Sequence, residues 1–218
     1  MQFNPFGLLE KHLSEEEIEK YNHMKQKREE NDEKLKVSLK GHMSTFNDGI
    51  IAIFITVMML EIPFPTSETQ YRQFLWSVLI FFVSFLVIGD FWYENKRVFE
   101  SIREVDHLIL VVNFLFLMAL AFIPVMTKWI FNQASRYAAV NYGITYLITL
   151  LLNQLLFLAA VRKRFQNHIG LFLKISLVRL ALPIVVNLIL VFLGWRFPRQ
   201  VIVFYVVLPV LSFLRPKM

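Results

Sequence analysis

The chain changes character once. From Met1 to Lys40 charged and polar residues dominate, and beyond that point long apolar blocks alternate with short polar connections. Ser14 with Glu17 three positions later fits a capping box, so a charged helix is expected from about Ser14 onward. Dense Glu, Lys and Arg follow, the pattern of a solvated helix, with a role in assembly or regulation as the alternative. The apolar blocks are Met43 to Ile62, Phe74 to Tyr93, Leu108 to Met126, Ala138 to Val161, Ile169 to Leu193 and Val201 to Leu214. A helix needs about 20 apolar residues to cross a bilayer. The fifth block is interrupted by Lys174 and Arg179, and the sixth crosses only if its helix begins earlier, near Pro198. The fold class is therefore all-α: an integral membrane protein with six transmembrane helices per subunit, preceded by a charged N-terminal helix. Residues 1–40 form a soluble arm and residues 41–218 the membrane domain. No basic stretch precedes a short apolar core at the start, so the first block is read as a retained helix and not a cleaved signal.

Composition narrows the class further. Of 218 residues 56% are hydrophobic and only 18% charged, and Phe occurs 22 times, which suits lipid-facing and helix-packing surfaces. The formal charge of +6 would suggest nucleic acid in a soluble protein. In a membrane protein it points to cytoplasmic loops and anionic lipid, and no nucleic-acid partner is expected. Lys34, Lys36 and Lys40, then Lys96, Arg97 and Arg103, then Arg162, Lys163 and Arg164, and finally Arg215 and Lys217 flank one side of the six blocks. The other side carries fewer: Arg72, Lys128, Arg136, Arg196 and Arg199. Both termini are accordingly expected in the cytoplasm of a multi-pass protein of the cell membrane. Trp76, Trp92, Trp129 and Trp195 fall near block ends, as interfacial Trp does. Cysteine is absent, which excludes disulfides, thiol catalysis and Cys-based metal sites. No HExxH, phosphate loop or GxSxG occurs, and His12, His23, His42, His107 and His168 are scattered, so neither an enzyme nor a metal or cofactor site is expected.

The first block stands apart. It reads His42-Met-Ser-Thr-Phe46-Asn47-Asp48-Gly49 and runs on through an Ile/Ala/Thr stretch to Leu60-Glu61. A carboxylate inside a membrane helix is costly unless it is paired or hydrated, so Asp48 marks either a packing network or an ion pathway. At about 100° per residue, Ile53, Thr56 and Leu60 fall within about 60° of each other, with Phe46 and Gly49 on the same stripe. Asp48 points about 140° from Ile53, and Glu61 lies about 80° off the stripe. Asp48 is thus expected to bond a neighbouring helix near Trp92, Asn95 or Asn113. An apolar ring can gate a pore by dewetting and Thr hydroxyls can replace ion hydration, although a Thr in an apolar helix commonly bonds its own backbone.

Phe46-Asn47-Asp48-Gly49, the run after it, Leu60-Glu61-Ile62, Trp92 to Arg97, Asp106 to Asn113 and Phe122-Ile-Pro124 together resemble the transmembrane protein 175 family, potassium channels of lysosomes with prokaryotic relatives. The resemblance implies a six-helix subunit, a homotetramer, and a potassium-permeable pore lined by the first helix without a carbonyl filter. It places pore-lining layers at Ile53, Thr56 and Leu60, and a polar network around His42, Phe46, Asn47, Asp48, Trp92 and Asn113. Potassium would be the permeant ion, with no cofactor, and the partners would be other copies of the chain and membrane lipid. The family motif has Arg where His42 stands and Ser where Asn47 stands, which implies a weaker or pH-sensitive network. Glu61 would concentrate cations at the outer mouth. A proton-coupled carrier using Asp48, or a non-transporting scaffold, are the other readings.

Overall fold

The computed structural model describes residues 14–102, 104–164 and 169–214, the side chains of 163, 164, 169, 171–180, 208–210 and 212–214 excepted. Six α-helices follow one another: α1 (Glu15–Leu60), α2 (Tyr71–Ser101), α3 (His107–Asn132), α4 (Arg136–Arg164), α5 (Ile169–Arg196) and α6 (Pro198–Leu214). No strand occurs among the described residues. The chain is a multi-pass helical membrane protein. Four of the helices, α1 to α4, carry a described stretch long and apolar enough to cross a membrane.

α1 differs from the expectation of an arm followed by a span. Its 46 residues form one unbroken helix, about 69 Å long at 1.5 Å per residue. Nothing between Lys40 and Met43 breaks a helix: Gly41 has helical dihedrals, with open space around it. The start is fixed by the expected capping box, in which the Glu17 amide donates to Ser14 Oγ and the Ser14 amide donates to the Glu17 carboxylate at 2.9 Å. Pro63 and Pro65 follow the end at Leu60.

The other boundaries shift outward. α2 continues eight residues past Tyr93, carrying Asn95 and Lys96 along its face. α3 starts at an Asp106 cap, whose carboxylate accepts from the Ile109 amide at 2.8 Å, and runs through Pro124 to Asn132. Lys128 and Trp129, which follow the apolar block ending at Met126, therefore lie inside the helix. α6 does begin at Pro198, where the missing amide costs nothing in a first turn, but its 17 residues keep it short. Lys174, Arg179 and the basic residues at 103, 163, 164, 215 and 217, with His12 and His168, lie outside the described side chains.

Packing is layered along the bundle. Met43, Val98, Phe99, Ile102, Ile109 and Leu156 close the end where α2 meets α3. Ile51, Val87, Ile88, Phe91, Phe116 and Leu120 fill the middle. Ile130, Ala138, Tyr142, Leu190, Val201 and Tyr205 fill the end where α3 meets α4 and α5 meets α6. α4 packs on α3, α5, α2 and α6 and is the hub, whereas α1 leans chiefly on α2 and α3.

Two expectations follow from these contacts. A Cβ on Gly143 would run into the Tyr205 hydroxyl and a Val191 methyl, so α4 can approach α5 and α6 this closely only with glycine there. Gly143→Ala should destabilise by about 1–3 kcal/mol, read as a lower melting temperature in detergent. Tyr205→Phe should recover part of that loss, because the hydroxyl it deletes is buried without a hydrogen-bond partner among the described residues. The Glu17 carboxyl is held below the ordinary carboxylate range by the Ser14 amide and hydroxyl bonds. A folded-state value lowered in this way stabilises the helix start above the ordinary range. The protection of the Glu17 and Ile18 amides, taken relative to their intrinsic exchange rates, should therefore hold at neutral pH and fall as acidification passes from the ordinary range through the lowered value.

A polar clamp on α1 and the bare face behind it

Two consecutive residues of α1 reach in different directions. Asn47 is buried, and its amide group sits between α2 and α3. Its Nδ2 donates to Asn95 Oδ1 at 3.0 Å and to Asn113 Oδ1 at 2.9 Å, and Asn113 Nδ2 donates back to Asn47 Oδ1 at 2.8 Å. Three helices are tied by three side-chain amides with no charge among them. Asn47 thus joins α1 to both α2 and α3 through side-chain amides. Asn95 Nδ2 is the amide donor left without a partner.

Asp48 turns outward beside the triad. Trp92 Nε1 donates to its Oδ1 at 2.8 Å, and Lys96 Nζ donates to its Oδ2 at 2.8 Å and to Ser44 Oγ at 3.1 Å. The expectation that Asp48 meets Trp92 matches this geometry. Asn95 and Asn113, the other candidates, bond Asn47 instead, because they lie on the faces of α2 and α3 turned inward. Trp92 spends its indole N–H on Asp48 and not on the membrane interface. Phe46 stacks edge-on against Phe114, with ring centroids 5.6 Å apart, and His42 is exposed on the α1 surface. Lys96 and Ser44 were missed. Charge counting marks Lys96 as an orientation signal, but Trp92, Asn95 and Lys96 follow at i, i+3 and i+4 and so share one face of α2.

The other side of α1 is bare. Met43, Asn47 and Ile51 are its buried residues, and Phe54, Ile55 and Met58 are packed partly against the middle layer. Gly49, Ile53, Thr56 and Leu60 face away from all of these and are exposed, Ile53 by 54% and Leu60 by 85%. The Thr56 hydroxyl donates to the Ile53 carbonyl at 3.0 Å, so its oxygen lone pairs are turned outward from the helix.

A second bare stripe offers a comparison. On α4, Ile144, Ile148, Leu151 and Leu155 are exposed at the same spacing: a residue, then four, seven and eleven positions on. Every member of the α4 stripe is a large aliphatic residue, as a surface against acyl chains requires. The α1 stripe has a glycine and a hydroxyl in it. At the far end of α1, Glu61 is bound by Lys128 of α3 at 2.8 Å, so its carboxylate is countered and not free to concentrate cations.

A helical membrane protein whose first span carries a polar motif clamped to its second and third is the class these features define. Residues 42–124, the segment that contains the clamp, match the family model described as endosomal/lysosomal potassium channel TMEM175. Through this segment the chain resembles the TMEM175 family. It is 32% identical over 108 residues to a potassium channel of Chryseobacterium sp. strain P1-3, covering 48% of this chain and 56% of that one. It is 31% identical over 128 residues to a potassium channel of Chamaesiphon minutus, covering 53% and 63%. The matched stretch thus spans little more than half the length of these relatives. The fold also resembles the crystal structure of a lysosomal potassium-selective channel TMEM175 homolog from Chamaesiphon minutus, with a TM-score of 0.67 and 24% identity over 83% of this chain and 100% of that one.

The clamp should carry measurable stability. Interhelical hydrogen bonds in membranes average about 0.6 kcal/mol, and orphaned buried amides add to the loss. Asn47→Leu, which deletes three such bonds, should cost about 2 kcal/mol or more and lower the melting temperature in detergent by several degrees. Asn47→Ser should fall between the two, since a hydroxyl cannot reach both partners. An unchanged melting temperature for Asn47→Leu would mean that the triad does not hold α1.

Proposed function

We propose that this protein is a potassium-permeable cation channel whose pore is lined by α1 of four symmetry-related copies. The stripe contrast carries the reading. α1 and α4 present equally spaced bare faces, and only that of α1 breaks the aliphatic rule with Gly49 and Thr56. A closed cyclic assembly would bring four such faces around one axis. Ile53 and Leu60 would then form apolar rings that control hydration of the path. Thr56 would supply a ring of outward oxygens between them that can replace part of an ion's water shell. The curated relatives carry the name potassium channel, which supports K+ as the ion.

The clamp suits this role better than a carrier. A coupling carboxylate has to be released during the cycle, whereas Asp48 is held by an ammonium and an indole on α2. Lys34, Lys36, Lys40, Lys96 and Arg97 gather at the clamp end of the bundle, which supports cytoplasmic termini and a location in the cell membrane.

Native cysteine is absent, so introduced thiols report cleanly. In reconstituted vesicles the wild type should pass K+ above the empty-vesicle leak. Ile53→Cys and Thr56→Cys should react with a water-soluble thiol reagent and lose most of their flux. Ile148→Cys, on the equivalent face of α4, should neither react nor change. Equal reactivity at 53 and 148 would place the water path elsewhere, and the absence of K+ flux would end the channel reading.

A further inference from the structure

The end of α1 opposite the clamp carries an unusual pairing. Glu61 caps the helix directly after Leu60, and no basic residue lies in the last turn of α1 to offset that carboxylate or the helix's negative end. The counter-charge comes from another helix. Lys128 reaches it because α3 runs past Pro124 to Asn132, and its Nζ stands 2.8 Å from Glu61 Oε2. Beneath the bridge a cavity of about 50 Å³ opens between α1, α2 and α3, with Ser77, Ser84 and Asn132 among its lining. That is room enough for water.

The remaining charges at this end are distributed unevenly. Arg136 lies 5.4 Å over the Trp195 ring and Arg196 5.9 Å from the Phe197 ring, on helices α4 and α5. The acids, Glu61 and Glu68, both sit on the connection out of α1. Arg72 stands in the first turn of α2, just beyond that connection, and Lys128 is the cation bonded to Glu61.

We infer that Lys128 is a conductance-determining residue of the pore mouth, acting through Glu61: it cancels a carboxylate that would otherwise face entering cations in every subunit. This rests on the α1 pore proposed above. With partners 53% and 56% exposed, the bridge contributes little to stability. Its field is another matter. Charge rings at a mouth raise the local cation concentration, and their reach follows the screening length, about 30 Å at 0.01 M salt and about 3 Å at 1 M. Once Lys128 is removed, the cavity lets Glu61 stay hydrated where it stands.

The test is single-channel recording in planar bilayers on the full-length protein, with K+ as the probe. Lys128→Met and Lys128→Gln should each raise conductance for K+ entering from the Glu61 side, by about twofold or more at 0.01 M salt, and the gain should vanish at 1 M. Adding Glu61→Gln to either should return the wild-type value at both concentrations. Unchanged conductance at low salt in a channel whose wild type conducts overturns this inference alone. So does a double variant as elevated as the single. A wild type that passes no K+ overturns the pore reading together with it.

Discussion

Everything in this fold depends on holding one helix by a single face. Inside a bilayer there is no hydrophobic drive to press α1 against its neighbours, since lipid offers an equally apolar surround. Directional polar contacts have to do so, and they must leave the opposite face empty. The Asn47–Asn95–Asn113 triad meets both demands. Three neutral amides bond one another without the desolvation cost that burying an ion pair there would bring. The charged pair, Asp48 with Lys96, is displaced to the half-exposed edge, where hydration remains available.

The clamp also explains how an acidic residue can belong to α1 without facing the proposed path. Asp48 follows Asn47 by one residue, so the two side chains diverge by about 100° and can serve different neighbours. Asn47 takes the inward direction and Asp48 the flank toward α2. The bare stripe then occupies the remaining arc. A single additional residue between the motif and Ile53 would rotate the stripe by the same angle toward α2 or lipid, so the spacing matters as much as the residue types.

Much of this was readable in advance, for definite reasons. The helices follow from apolar blocks of bilayer length, and the stripe from the period of a helix, both local properties. The start of α1 was visible because a capping box is a local signal too. Three things were not visible. The continuity of α1 across Gly41 escaped because a change in composition resembles a domain boundary, while the backbone has no reason to break there. The length of α3 escaped because Pro124 and Lys128 look like a stop, yet a membrane helix can pass a proline and its polar end can project beyond the bilayer. The partners of Asn47, and Lys96 as the second partner of Asp48, escaped because which side chain meets which depends on the relative rotation of three helices, a property of tertiary packing alone.

These misses share a consequence for how α1 works. Continuity across Gly41 joins a charged rod about 39 Å long, for the 26 residues from Glu15 to Lys40, to the helix that carries the stripe. The clamp sits near the junction and the Glu61–Lys128 bridge at the far end, so α1 is held by polar contacts at both ends of its membrane segment. Between them Ile51, Phe54, Ile55 and Met58 make only apolar contacts with the middle layer. Such contacts are non-directional, and a helix can roll on them at small cost. The hydrogen bonds of the triad have no such freedom, since an amide turned away from its partners is an orphan in a buried site. Any motion that shifts Ile53 or Leu60, the residues proposed to line the path, is therefore expected to pivot about Asn47 and to be largest toward Leu60, the end where the remaining tie is a hydrated ion pair worth little.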